Sequence, residues 1–375
     1  MTRRTIKIKY VDMPTEFDFE DNWITNALRK RYNIQFVDQP DFLFYGPHDL
    51  TFLDYDNCVK IWVSGEPASP NFNECDYALG FDHIQFGDRY IRAAAGDCMG
   101  IGISSENDYR DFDESIQLRK PITEDFFNRK FCNFIYSNPT NGDGALSRVE
   151  FCKRLMKYKH VDCPGRVLNN MQNAIVPRYV STGMDGFADV PTGDAWILGK
   201  LDFISQYKFT IAFENVFMDG YTTEKLLHPL QAYSIPIYWG NPSVVKDFNP
   251  KAFINCNDYD NDFDKVIQRV IELDNDKEQY LAMLRESPFQ PDFDFHIKEK
   301  AEEFLFHIIE KGNHPYVKDP MGWSTGKRAF YRYVDAINGM SIDTYINACK
   351  NGQVGMRSIL RCFEAWLRFK LYGGK

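Results

Sequence analysis

Short β-type runs alternating with helical spacing limit this chain to few architectures. Over the first 95 residues, "TIKIKYVDM", "YNIQFVD", "DFLFYG", "CVKIWVSGE" and "CDYALGF" are rich in Val, Ile, Tyr and Phe and separated by polar turns. Between the first two, "EDNWITNALRKRYN" places Trp23, Ile24, Leu28 and Tyr32 at helical spacing. Strand, helix, strand predicts an α/β unit on a parallel sheet. A polar, uneven stretch over about 96–130, ending in "RKPITEDFFNRK", reads as an interdomain link. A second α/β series follows. "FCNFIYSN", "YKFTIAFEN" and "SIPIYWG" read as strands, and "GALSRVEFCKRLMKY", "TTEKLLHPLQAY", "FDKVIQRVIELDND" and "FHIKEKAEEFLFHIIEKG" as helices. At 375 residues the chain has room for two such domains. The boundaries predicted are an N-terminal α/β domain over 1–120, a C-terminal α/β domain over 121–312 and a helical extension over 313–375. In that extension Met356, Leu360, Phe363, Leu367 and Leu371 form an apolar stripe beside Arg357, Arg361, Glu364 and Arg368. This is an amphipathic helix with a basic face, able to dock on the protein or on an anionic inner-membrane surface.

The formal net charge of −9 argues against a general nucleic-acid binder but leaves room for a local basic pocket. Nine cysteines, an odd number with no CxxC pair, read as reduced thiols, several of them inside apolar runs. The N-terminus reads as a strand rather than a signal peptide, and no run is long enough for a membrane-spanning helix. The expectation is a cytoplasmic protein.

"FENVFMDGYTTEK", residues 213–225, is the stretch richest in chemistry. The strand before it ends at Asn215, and ligands of open α/β sheets gather beyond the carboxyl ends of strands. Thr222 or Thr223 can cap a helix starting near Glu224. Lys225 then stands in a first turn whose free N–H groups already carry positive charge. That is poor for stability and good for a diphosphate. Glu224 beside an anion calls for hydroxyl donors such as those of a sugar. Gly220 permits close backbone approach, and Tyr221 adds a ring and a hydroxyl. Together these groups suit a nucleotide diphosphate that carries a sugar. A capped surface helix after a core strand is the plainer alternative.

The segment "YKFTIAFENVFMDGYTTEKLLHPLQAYSIPIYWGNPSV" resembles the signature region of glycosyltransferase family 10, the α1,3/α1,4-fucosyltransferases, in their bacterial style. Upstream, "SGEPASPNFNECDYALGFDHIQFGDRYIR" resembles the family's G-E-x-x-S-P-N-F block, and "FIYSNPTNGDGALSRVEFCKRLMKY" its S-N-P followed by an arginine-bearing helix. The resemblance covers roughly residues 58–310. It implies two Rossmann-like domains facing a cleft (GT-B type), GDP-β-L-fucose as donor, an acceptor oligosaccharide, and inversion at the anomeric carbon. By residue it implies Glu66 as general base, Arg148 and Lys225 on the diphosphate, Tyr221 and Glu224 on the donor's sugar portions, and Asn215 on the donor side. Glu224 also stands as a candidate catalytic carboxylate for an oxocarbenium-like transition state. The commonest product implied is α1,3-fucosylated N-acetyllactosamine (Lewis x type), with O4 of the type 1 isomer left open.

Two features depart from the family pattern. Pro229 falls inside the helix after Lys225, and no heptad repeats appear near the C-terminus. The D-x-D strings Asp54/Asp56, Asp111/Asp113, Asp258/Asp260 and Asp292/Asp294 match what an acidic chain contains by composition. Because Arg148 and Lys225 already supply positive charge, no essential metal or other cofactor is expected. The rival readings are another inverting nucleotide-sugar transferase of this architecture and a glycan-binding protein without catalysis.

Overall fold

The computed structural model describes residues 3–15, 17–92, 121–139, 142–172, 174–175, 192–294 and 296–316. The basic amphipathic helix, most of the extension over 313–375, and most of the link over 96–130 lie outside the described residues.

The first domain carries a six-stranded sheet in the order β2-β1-β3-β4-β5-β6, with every pair parallel. Its strands are β1 (Thr5–Val11), β2 (Asn33–Phe36), β3 (Phe42–Tyr45), β4 (Val59–Val63), β5 (Tyr77–Gly80) and β6 (Tyr90–Arg92). Helix α1 (Trp23–Arg29) starts where the Asn22 side chain accepts the Thr25 N–H, and it buries Ile24, Ala27 and Leu28. The second domain carries β7 (Lys130–Asn133), β8 (Val161–Asp162), β9 (Tyr207–Phe213), β10 (Ile235–Trp239) and β11 (Ile254–Asn255). These form a parallel sheet in the order β11-β10-β9-β7-β8. Its helices are α2 (Asp143–Leu155), α3 (Thr192–Ile204), α4 (Glu224–Gln231), α5 (Phe263–Asn275) and α6 (Lys277–Arg285). All seven residues of β9 are buried, as a central parallel strand covered on both faces requires.

Helix α7 (Ile297–Lys311) lies within the span assigned to the second domain, yet it packs on the first. Ile297, Ala301, Leu305, Phe306, Ile308 and Ile309 join Ile6, Ile8, Ile24 and Leu28 in one core. Lys30 pairs with Glu302 at 2.9 Å across the same contact. Its apolar stripe needs a sheet face, and the sequence does not say which sheet offers one. The six cysteines among the described residues are all buried and form no disulfide among themselves, in keeping with small core residues.

Pro229 sits inside α4. The cap and the first turn with Glu224 and Lys225 precede it, so that turn forms regardless of the missing N–H.

Candidate active site

The site is assembled at the carboxyl end of β9, where Glu214 and Asn215 follow Phe213. Helix α2 presses its start onto their backbone, with the Gly144 N–H donating to the Asn215 carbonyl at 3.0 Å. A Cβ at Gly142 (φ +80°) would lie 2.2 Å from the Asn215 oxygen, and one at Gly144 would lie 2.1 Å from the Glu214 oxygen. Only glycine tolerates this approach.

One turn into α2, Arg148 is almost fully buried at 1% exposure. Its Nη1 donates to Asn215 Oδ1 at 2.9 Å, its Nη2 donates to the Asn138 carbonyl, and its Cζ lies over the Tyr136 ring, 4.2 Å from the centroid. The Nε–H is buried with no partner. Burial pushes the guanidinium pKa down, opposed by Tyr136 and Glu214. Among the described residues no carboxylate lies within hydrogen-bonding distance of Arg148, so the pocket holds a desolvated cation able to gain from an anion.

Lys225 is anchored on the adjacent residue of the same strand end. Thr223 caps α4, and its hydroxyl accepts the Lys225 N–H at 3.4 Å. Glu214, completely buried, accepts the Thr223 N–H at 2.8 Å and the Thr223 hydroxyl at 2.7 Å. Lys225 Nζ lies 3.6 Å from Glu214 Oε2, 3.1 Å from Glu224 Oε1 and 3.2 Å from the Thr223 hydroxyl. One expectation is corrected here. The N–H groups of Thr223 and Lys225 are already engaged, so the first turn of α4 offers an anion fewer donors than helix geometry alone implies. The Lys225 ammonium itself is held between two carboxylates.

The charges of this cluster act on one another. Burial pushes the Glu214 carboxyl up to about 6, against Lys225 and the Thr223 hydrogen bonds. Burial also pushes Glu224 up, but the charges of Lys225, Lys200 and His228 outweigh it and hold Glu224 at about 2. Lys225 is raised despite burial because Glu224 and Glu214 favour its charged form. His228 is driven down to about 3 by burial and by Lys200, and its Nδ1 is buried without a partner. Arg148 and Lys225 both act on the Tyr136 phenol, which burial nevertheless raises, so the two cations share one neighbourhood.

Glu214, Lys200, His228 and Tyr136 belong to this cluster, and sequence reasoning passes over them. A carboxylate closing a fully apolar strand was a usable signal for Glu214, since buried carboxylates need partners. Nothing in the sequence marks Lys200.

The linkage of Glu214 to stability is testable. A carboxyl raised from 4.5 to about 6 on folding stabilises the protein fully below pH 4.5, and that contribution is lost as pH rises through about 6. Glu214→Gln should therefore gain on wild type by about 2 kcal/mol between pH 4.5 and pH 7, on top of a constant offset from the lost Lys225 contact. Calorimetric melts across this range check it, and parallel profiles would contradict it.

The first domain closes the site. Gly220 (φ +79°) lies so near this domain that an added Cβ would stand 2.2 Å from the Phe81 carbonyl oxygen. The Tyr221 ring is buried edge-on against the Phe81 ring at 4.9 Å. Phe81 follows β5, and Tyr221 lies in the loop after β9, so the carboxyl ends of the two sheets face each other. Glu66 is exposed beyond the carboxyl end of β4, in a turn where the Ser64 hydroxyl accepts the Glu66 N–H at 3.0 Å. Its charge reaches the Tyr221 phenol, which burial, Glu214 and Glu66 together push up. Thus Arg148, Asn215, Lys225, Glu224 and Tyr221 gather at one strand end, with Glu66 on the opposite domain.

Beside α2, a cavity of about 640 Å³ is lined by Ser137, Pro139, Leu146, Val149 and Val167, among others. Among the described residues, no group of three or more His, Cys, Asp or Glu could hold a metal ion. Asp111 and Asp113 lie outside them.

Two parallel sheets meeting at their carboxyl ends define the GT-B glycosyltransferase architecture. The model for the α-(1,3)-fucosyltransferase FucT N-terminal domain matches residues 8–95, and the model for the C-terminal part of glycosyltransferase family 10 (fucosyltransferase) matches 128–289. The chain belongs to glycosyltransferase family 10. It is 34% identical over 299 residues to α-(1,3)-fucosyltransferase FucT of Helicobacter pylori, covering 72% of this chain and 57% of that protein. To α-(1,3)-fucosyltransferase B of Drosophila melanogaster it is 29% identical over 258 residues, covering 68% of this chain and 46% of that one. The chain spans about half the length of such curated relatives. The crystal structure of an α1,3-fucosyltransferase with GDP-fucose superposes with a TM-score of 0.60 at 26% identity, covering 85% of this chain and 94% of the other.

Proposed function

We propose that this protein transfers L-fucose from GDP-β-L-fucose to a hydroxyl of an acceptor glycan, with inversion at the fucose anomeric carbon. The observation that carries the reading is the anchoring of two cations, Arg148 and Lys225, on the consecutive residues Asn215 and Glu214, across from the exposed Glu66. The similarity to the α1,3-fucosyltransferase crystallised with GDP-fucose supports the choice of donor.

In this reading the diphosphate lies against the Arg148 guanidinium and Lys225. As the glycosidic bond breaks, negative charge grows on the GDP oxygen, and fixed cations in a water-poor site stabilise it. The partnerless Nε–H of Arg148 is a donor waiting for an acceptor. The diphosphate would share Lys225 with Glu214 and Glu224, and Glu224, held ionised, can accept sugar hydroxyls or face the oxocarbenium-like carbon. The cavity beside α2 has room for a nucleoside. Glu66, exposed on the first domain and acting by its charge on Tyr221 of the donor loop, takes the proton of the attacking acceptor hydroxyl. Attack from the face opposite GDP gives inversion. In this reading the preferred acceptor is O3 of N-acetylglucosamine in N-acetyllactosamine, a choice in keeping with the α-(1,3) linkage in the relatives' names.

NMR analysis of products from GDP-fucose with type 1 and type 2 disaccharides tests this. An α1,3-fucosylated type 2 product is expected, and turnover with GDP-mannose or a UDP-sugar instead would overturn the donor assignment. Since protein cations serve the diphosphate in this scheme, turnover should persist in chelator. Loss in chelator and recovery with Mn²⁺ would contradict that part.

A further inference from the structure

The two domains are joined at the site by a contact that the catalytic scheme leaves unused. Arg92, the last residue of β6, forms a two-pronged ion pair with Asp247 of the second domain, Nη1–Oδ1 2.9 Å and Nη2–Oδ2 2.6 Å. Its third donor, Nε, reaches the Phe81 carbonyl at 2.9 Å. Arg92 and Asp247 side chains are only 18% and 12% exposed. An exposed ion pair contributes little, but a bidentate, largely desolvated one fixes geometry in a way that a solvated pair does not.

What it fixes is the segment Phe81–Asp82. The Phe81 ring meets Tyr221, and the Phe81 backbone is in contact with Gly220 of the donor loop. Asp82 Oδ1 accepts the Ser69 hydroxyl at 2.6 Å, in the loop that carries Glu66, and its carbonyl accepts the Tyr90 hydroxyl at 2.9 Å. Asp247 is held in the second domain by accepting the Gln290 N–H at its carbonyl, 3.0 Å. A single guanidinium therefore binds both the backbone between the Glu66 loop and the donor loop and the domain that holds the donor.

We propose that Arg92 is a positioning residue, clamped on Asp247, that holds the Glu66 loop in register with the donor loop for transfer. This rests on the transferase reading above. Arg92 touches none of the residues assigned to the diphosphate, so its loss should act on the alignment of the two halves rather than on the donor. Misplacement of reacting groups by about 1 Å costs on the order of 100-fold in rate.

The test compares wild type, Arg92→Ala, Arg92→Lys, Asp247→Asn, and the exchanged pair Arg92→Asp/Asp247→Arg with its two constituent variants Arg92→Asp and Asp247→Arg, all in the full chain. For each, kcat with GDP-fucose and acceptor is measured beside the GDP dissociation constant by calorimetry and the radius of gyration by solution X-ray scattering. The expected result is a kcat lowered roughly 10- to 100-fold in Arg92→Ala and Asp247→Asn, with GDP affinity within about threefold of wild type. The radius of gyration rises in the same variants. Arg92→Lys loses the fork and recovers only in part, and the exchanged pair exceeds the product of the single effects.

Unchanged kcat in both single variants would overturn the proposal, as would GDP affinity falling in parallel with kcat, or strictly additive effects in the exchanged pair. Should Arg92→Ala fail to fold, Asp247→Asn carries the same comparison. Absence of fucose transfer by wild type would overturn the transferase reading instead, while scattering still reports on the clamp.

Discussion

Glu66→Gln should lower kcat by about 10² to 10⁴ while GDP binds as it does to wild type. An acceptor hydroxyl is a weak nucleophile until its proton is removed, and Gln offers an amide of the same shape with no basicity. The position is suited to this test. Glu66 is exposed, and its backbone turn is held by Ser64 rather than by its own carboxylate, so the substitution leaves the loop in place. The carboxylate lies on the first domain and the donor cations on the second, so donor affinity and proton transfer are separable. Turnover assays with calorimetric GDP titration check both halves. A variant with wild-type turnover removes Glu66 from the base role, and a parallel loss of GDP affinity places it in the donor site.

The second large effect is expected at Arg148. Removing its guanidinium takes away a buried donor-site cation and leaves the Asn215 and Asn138 acceptors, together with the Tyr136 ring face, without their partner. Arg148→Ala should weaken GDP binding by roughly 2–4 kcal/mol, a loss of about 30- to 1,000-fold, and lower turnover at least as far. Arg148→Lys should recover little, because an ammonium cannot bond Asn215 and Asn138 at once and stack on Tyr136. The control is guanosine, which lacks the diphosphate and should distinguish the variants far less than GDP does. Equal losses for guanosine and GDP would show collapse of the α2 start rather than loss of a phosphate contact. Gly142 and Gly144 make that start sensitive, since they lie against the Glu214 and Asn215 backbone.

The legible parts of the sequence were those with local signals. Strand and helix alternation follows side-chain periodicity, and both parallel sheets appear where the runs predicted them. A threonine cap at 222 or 223, which the structure resolves to Thr223, and Glu224–Lys225 in the first turn follow from backbone donors needing partners. Facts that depend on what lies across space were not legible. α7 has one apolar stripe, and two sheets could have received it. Lys225 has two carboxylate neighbours, one of them eleven positions away at Glu214 and brought in by Thr223. Lys200 enters the electrostatics of the site from α3, and no spacing relates it to the motif. The Arg92–Asp247 contact joins residues far apart in the chain, in different domains, and each alone reads as a surface charge.

A crystal structure of the GDP complex tests the central claim most directly. The account predicts the diphosphate oxygens within hydrogen-bonding distance of Arg148 and Lys225 beyond the end of β9, with Glu66 facing the vacant sugar position from the other domain. A diphosphate seated away from Arg148, or a sugar position that Glu66 cannot reach, would contradict it.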